Sequence, residues 1–132
     1  MRIETGQPYV FGPFALSLPD GWTADFLPEP GRHELVPPDG DFTILISGYE
    51  RDAPVELADV RPEALDCAEV QLPSGLDGLT YDQPDEDLFV RFWMIRNGNA
   101  MIAVALTVDQ EHLASALIPA QMVVSSIRPS QD

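Results

Sequence analysis

Leu88-Phe-Val-Arg-Phe-Trp-Met-Ile-Arg96, Asn97-Gly98 and Asn99-Ala-Met-Ile-Ala-Val-Ala-Leu-Thr-Val108 follow one another as two β-rich runs around an Asn-Gly dipeptide. Asn-Gly between such runs is the signature of a type I′ hairpin, because both central residues of that turn need positive φ. With a two-residue loop, Arg96 faces Asn99, so Trp93 is expected opposite Ile102 and Phe92 opposite Ala103, on the two sides of the sheet. Neither side is polar. A hairpin apolar on both faces has to be covered on both, which predicts a sheet enclosed by helical or loop layers.

Working outward, Phe14-Ala-Leu-Ser-Leu18 reads as a strand stopped by Pro19-Asp20-Gly21. The same triplet at Pro38-Asp39-Gly40 separates His33-Glu-Leu-Val36 from the β-rich run Phe42 to Ser47, giving strand, turn, strand. From Leu57 the period changes. Leu57, Val60, Ala64, Leu65 and Ala68 fall on one helical stripe, with Asp59 as its cap, Pro62 in its first turn, and Pro73-Ser74-Gly75 closing the segment. Leu113, Ala116, Leu117, Ala120, Val124 and Ile127 form a second stripe, with Asp109 as N-cap. Pro119 within it predicts a kink or two short helices. No domain boundary interrupts the chain. The reading is one domain over residues 1–132, ordered from about 10 to 128: α+β, an α/β/α sandwich whose mainly antiparallel, curved sheet is flanked by helices.

The chain has 132 residues and a formal net charge of -15, from 22 acids against 7 bases. That field repels phosphate backbones and anionic lipid surfaces, so nucleic acid and membrane are not expected partners, and a basic protein surface is. All the bases are arginine, a bias that fits a high-GC bacterial genome. Cys67 is the single cysteine, so no internal disulfide forms. Met1 to Gln7 has neither the basic nor the apolar part of a secretory leader, and a cytoplasmic protein, monomer or homodimer, is expected.

No catalytic motif is legible. His33 and His112 lie roughly 80 residues apart without metal-ligand spacing. Both read as solvated residues, and no metal and no cofactor are expected. Cys67 reads as a small core residue in the first helix, beside an acid that disfavours its thiolate. The chain contains no P-loop lysine, no G-x-G-x-x-G and no G-x-S-x-G. The densest charge is the run Asp82-Gln-Pro-Asp85-Glu86-Asp87 before the hairpin, a solvated loop suited to attracting a basic partner. Arg91 shares a sheet face with Trp93, and the two are candidate cleft residues, the guanidinium needing an acid or a cleft edge. Trp22 reads as an aromatic capping the core.

The order of these features resembles the Mog1/PsbP-like superfamily of small α/β/α sandwiches. The resemblance rests on Phe14 through Trp22, Pro38-Asp-Gly40 leading into Ile44 to Ser47, the strand holding Arg91-Phe-Trp93, and a helix ending Val124-Ser-Ser-Ile127. It implies a curved antiparallel sheet with helices on both sides. It also implies protein binding without catalysis, since the superfamily includes a binder of a small GTPase, photosystem accessory subunits and adaptor chaperones of secreted effectors. The expectation is a non-catalytic protein-binding module, an adaptor, chaperone or immunity-like partner of a bacterial effector. The alternatives are a small-ligand carrier with a large apolar pocket beside Trp93, and an enzyme whose site is assembled from distant residues, such as His33 with an acid of the Asp82 loop.

Overall fold

In the computed structural model, residues 7–19, 21–27, 32–56, 66–83 and 86–130 are described. They form ten strands: β1 (Gln7–Phe11), β2 (Phe14–Leu18), β3 (Thr23–Leu27), β4 (Arg32–Val36), β5 (Thr43–Glu50), β6 (Ala68–Gln71), β7 (Asp77–Asp82), β8 (Leu88–Asn97), β9 (Ala100–Asp109) and β10 (Arg128–Pro129). A 3-10 turn, Gln110–His112, leads into helix α1 (Leu113–Ser125). Seven strands make one sheet in the order β3-β4-β5-β9-β8-β7-β6, and β1-β2-β10 make a second, with every pairing antiparallel. This is the α+β architecture expected from the hairpin and the terminal helical stripe.

The β8–β9 hairpin is present with its turn one residue later than expected. Asn97 pairs with Ala100, leaving Gly98 and Asn99 as the loop, so Trp93 lies opposite Val104 and Phe92 opposite Ala105. Gly98 carries φ +62 and Asn99 is not among the positive-φ residues, the pattern of a type II′ turn with glycine first. The partners shift by two positions, an even number, so the assignment of side chains to faces is unchanged.

On the inner face, Leu35, Ile44, Ile46, Trp93, Ile95, Ile102, Val104, Leu106 and Val108 join one buried cluster with Phe14 and Leu16 of β2 and Ala116, Ala120, Val123 and Val124 of α1. Helix and smaller sheet therefore cover the same face. Each fully buried Leu or Ile contributes about 1.5 to 3 kcal/mol, so this row outweighs any single polar contact in fixing the layer. Among the described residues the outer face of the hairpin is covered only in part: Met101 is buried, whereas Phe92, Met94, Ala103 and Ala105 are partly exposed. Val55 packs into this region, its carbonyl accepting from Arg96 Nη1 at 2.9 Å. Trp22 is partly buried against the core with its ring edge-on to Phe42 at 5.6 Å.

Two expectations need correction. α1 is one helix through Pro119 and does not break there; Ala116 and Ala120, both fully buried, pin it to the core on either side of the proline. The helix expected from Leu57 lies over residues 57–65, outside the described residues, but its far end is not helical. Cys67 sits in an extended lead-in and Ala68 opens β6, because pairing with Thr80 of β7 gives those backbone groups ladder partners.

Candidate functional site

A cavity of about 300 Å³ opens where the β1–β2 hairpin crosses the end of the large sheet. Strand alternation fixes what each lining residue contributes. Phe26 of β3, His33 of β4, Gly48 and Glu50 of β5, and Ala100 and Ile102 of β9 belong to the inner face by their pairing. Tyr49 and Met101 alternate to the outer face, so they border the cavity with main chain. Phe11 and Phe14, stacked at 6.0 Å with an interplanar angle of 15°, form the wall supplied by the hairpin.

His33 is the hub of the aromatic wall. Its ring lies 5.4 Å from Tyr9, 5.4 Å from Phe11 and 4.9 Å from Phe26, centroid to centroid. Burial pushes its pKa below the ordinary histidine value, which keeps the imidazole neutral. Nδ1 and the Tyr9 hydroxyl share a hydrogen bond, with 2.6 Å between the heavy atoms. Burial first, and Asp25 second, raise the Tyr9 phenol, so it holds its proton. Phe26 completes the wall while 55% exposed, which is unusual for a phenylalanine facing a core.

Gly48 opens the cavity. β5 is flanked by β4 and β9, and Gly48 occupies an inner-face position in line with Ile44 and Ile46, both fully buried. A glycine inside a strand ordinarily marks a close approach of another backbone or a bulge. Here Gly48 is exposed and a Cβ would meet nothing within 4 Å, so the position is open to solvent at the mouth of the cavity.

The residues singled out in the sequence lie elsewhere. Asp82 ends β7 and is held by Arg91 in a two-point ion pair, Nε to Oδ1 at 2.6 Å and Nη2 to Oδ2 at 3.1 Å. The acid that the Arg91 guanidinium needed is thus Asp82 itself. Arg91 also lies 5.3 Å over the Phe89 ring. Glu86 and Asp87 are exposed in the turn before β8, with Glu86 at φ +56, while Asp85 falls outside the described residues. Trp93 is 4% exposed and belongs to the core; the depression it borders, between β6 and α1, is about 180 Å³. Among the described residues a large pocket beside Trp93 is therefore not found. His33 and Asp82 do not meet either: β5, β9 and β8 lie between their strands, roughly 19 Å at about 4.8 Å per strand.

His112 is paired, not merely solvated. Asp109 caps the 3-10 turn through His112 N at 2.9 Å and also takes His112 Nδ1 at 2.8 Å. That bond raises the imidazole and lowers the carboxyl. Asp109, Glu111 and His112 place ligand atoms within 4.8 Å of one another, but the carboxylate oxygen of Asp109 is already engaged twice. No helix among the described residues is long and apolar enough to cross a membrane.

Phe11, Phe26, Gly48 and Glu50 were not found by reading the sequence. The available signal was an isolated glycine inside a β-rich run.

The large antiparallel sheet with its C-terminal helix is that of a PsbP-like fold. The solution structure of a cyanobacterial PsbP, CyanoP from Synechocystis sp. PCC 6803, superposes with a TM-score of 0.72 at 12% identity, over 97% of this chain and 94% of that one. A crystal structure from Bacteroides thetaiotaomicron VPI-5482 superposes with a TM-score of 0.69 at 15% identity. It covers 98% of this chain, which spans about half, 50%, of the length of that one. No protein-family model and no curated protein matches the sequence.

Proposed function

We propose that this protein is a non-catalytic binding module for another protein, and that the partner inserts a side chain into the cavity around Gly48 and His33. The observation that carries the reading is the open, exposed position at Gly48, on the inner face of β5 just beyond its pairing with β4, together with a phenylalanine left 55% exposed. Covering the exposed part of the Phe26 ring is worth roughly 2 to 3 kcal/mol at about 25 cal/mol per Å². A cavity of about 300 Å³ lies at the lower end of ligand pockets, suited to one large side chain. The net charge of -15 favours a partner with a basic surface. Among the described residues, the histidines are engaged by Tyr9 and Asp109, and neither forms a nucleophile–base pair. An adaptor, chaperone or immunity-like partner of a bacterial effector is the biological form this reading takes.

Gly48→Val tests it. The backbone there does not require glycine and the added atoms have space, so the variant should fold and gain up to about 1 kcal/mol in unfolding free energy from the strand. Used as baits side by side in extract of the source organism, wild type should retain a stoichiometric protein that Gly48→Val loses. A partner held equally by both baits would place the interface elsewhere and overturn the reading. A bound small molecule released by Gly48→Val, with no protein captured, would favour the small-ligand carrier.

A further inference from the structure

Among the described residues lining the cavity there is one carboxylate and no cationic side chain. Glu50 ends β5 on the inner face two residues beyond Gly48, and it is the ionisable acid among the lining residues. No arginine lines the cavity, and the chain has no lysine to reach it. Of the remaining walls, Phe11 and Phe14 are buried against each other, and the ring surface left accessible is that of Phe26 on β3, beside the imidazole of His33. Aromatic faces beside a carboxylate attract a cation through the ring quadrupole and the ionic charge together. A planar guanidinium suits such a site better than an ammonium, because it stacks on rings and forks onto a carboxylate. Apolar walls without an acid would fit an aliphatic side chain, and an acid without rings would fit any cation. Both occur here in a chain of net charge -15.

We propose that the cavity receives an arginine side chain of the partner protein, laid against the exposed ring of Phe26 and paired through its guanidinium with Glu50. This rests on the binding reading above and specifies its chemistry. Charge complementarity commits the site to arginine, and an aliphatic or an acidic side chain becomes an outcome of the test.

The test titrates the full, isotope-labelled chain with the blocked peptide acetyl-Gly-Arg-Gly-amide at millimolar concentration, following amide shifts by NMR. The control peptide carries citrulline, which keeps the planar shape and loses the charge. Saturable shifts are expected at Gly12, Gly48 and Ile102, with the citrulline peptide about tenfold weaker. Glu50→Gln, exposed and conservative, should weaken the arginine peptide about fivefold to tenfold while its spectrum confirms the fold. Gly48→Val should abolish the pocket shifts. Equal binding of citrulline, unchanged binding to Glu50→Gln, shifts scattered over other acidic surface, or no saturable shift would each overturn the assignment. If the capture experiment still separates wild type from Gly48→Val while the peptide leaves the pocket unmoved, the binding reading stands and arginine is wrong.

Discussion

At the scale of single residues, His33 reports on the pocket it lines. Its ring is held below the ordinary histidine pKa of 6.5 by burial. The unfolded chain therefore takes up a proton at a pH where the folded one does not, and stability rises with pH through that window. The contribution is complete above about pH 6.5 and is lost as pH falls toward the lowered folded value. Proton NMR titration of the folded protein should show His33 titrating below 6.5 and His112, bonded to Asp109, above it. Phe26→Ala exposes the imidazole to water and should move the His33 titration back toward 6.5. A His33 midpoint unmoved by that change would show that burial by Phe26 is not the cause. None of this was legible in the sequence, where Arg32-His33-Glu34 reads as a polar strand. What buries His33 besides Phe26 is β1, a strand whose residues carry no clear alternation and whose contact with β4 is visible only in three dimensions.

At the scale of elements, two glycines inside strands have opposite roles. Gly48 faces open space, whereas a Cβ on Gly78 would fall onto the Met94 carbonyl oxygen of the neighbouring strand. Gly78→Ala should therefore push β7 from β8 and cost about 2 to 4 kcal/mol, against a neutral or stabilising Gly48→Val. Chemical denaturation of both variants checks this, and a Gly78→Ala protein as stable as wild type would mean that β7 can shift freely. The contrast explains which elements could be read in advance. The β8–β9 hairpin and the terminal helix are long, with periods repeated several times, so a few ambiguous residues do not erase them. Even so, Pro119 and the turn at Gly98 followed packing and strand register in preference to local preference. β6 spans only Ala68–Gln71, and its alanine continues the helical spacing begun at Leu57; pairing with β7 decided its conformation. An opening such as that at Gly48 is a property of two elements at once, so neither element's sequence contains it.

At the scale of the whole molecule, the acidic loop and the pocket occupy opposite ends of the large sheet. Glu86 and Asp87 precede Leu88 at the start of β8, whereas the pocket adjoins Ala100 beyond its end at Asn97. Ten residues of strand separate them, about 30 Å at roughly 3.3 Å per residue. The Debye length is about 8 Å at physiological salt and about 30 Å at 0.01 M, so the loop influences an arginine entering the pocket only when salt is low. Asp82 adds little to that field, since Arg91 neutralises it. Changing Asp85, Glu86 and Asp87 to Asn, Gln and Asn takes the net charge from -15 to -12, three charges removed. With a fluorescently labelled arginine peptide in stopped flow, this variant should associate more slowly at low salt and at the wild-type rate at physiological salt, with dissociation unchanged at both. A loss that persists at physiological salt would mean that the ligand touches the loop itself, and that the docking surface runs the length of β8. No change at either salt would remove the loop from recognition and leave Glu50 as the acid that matters.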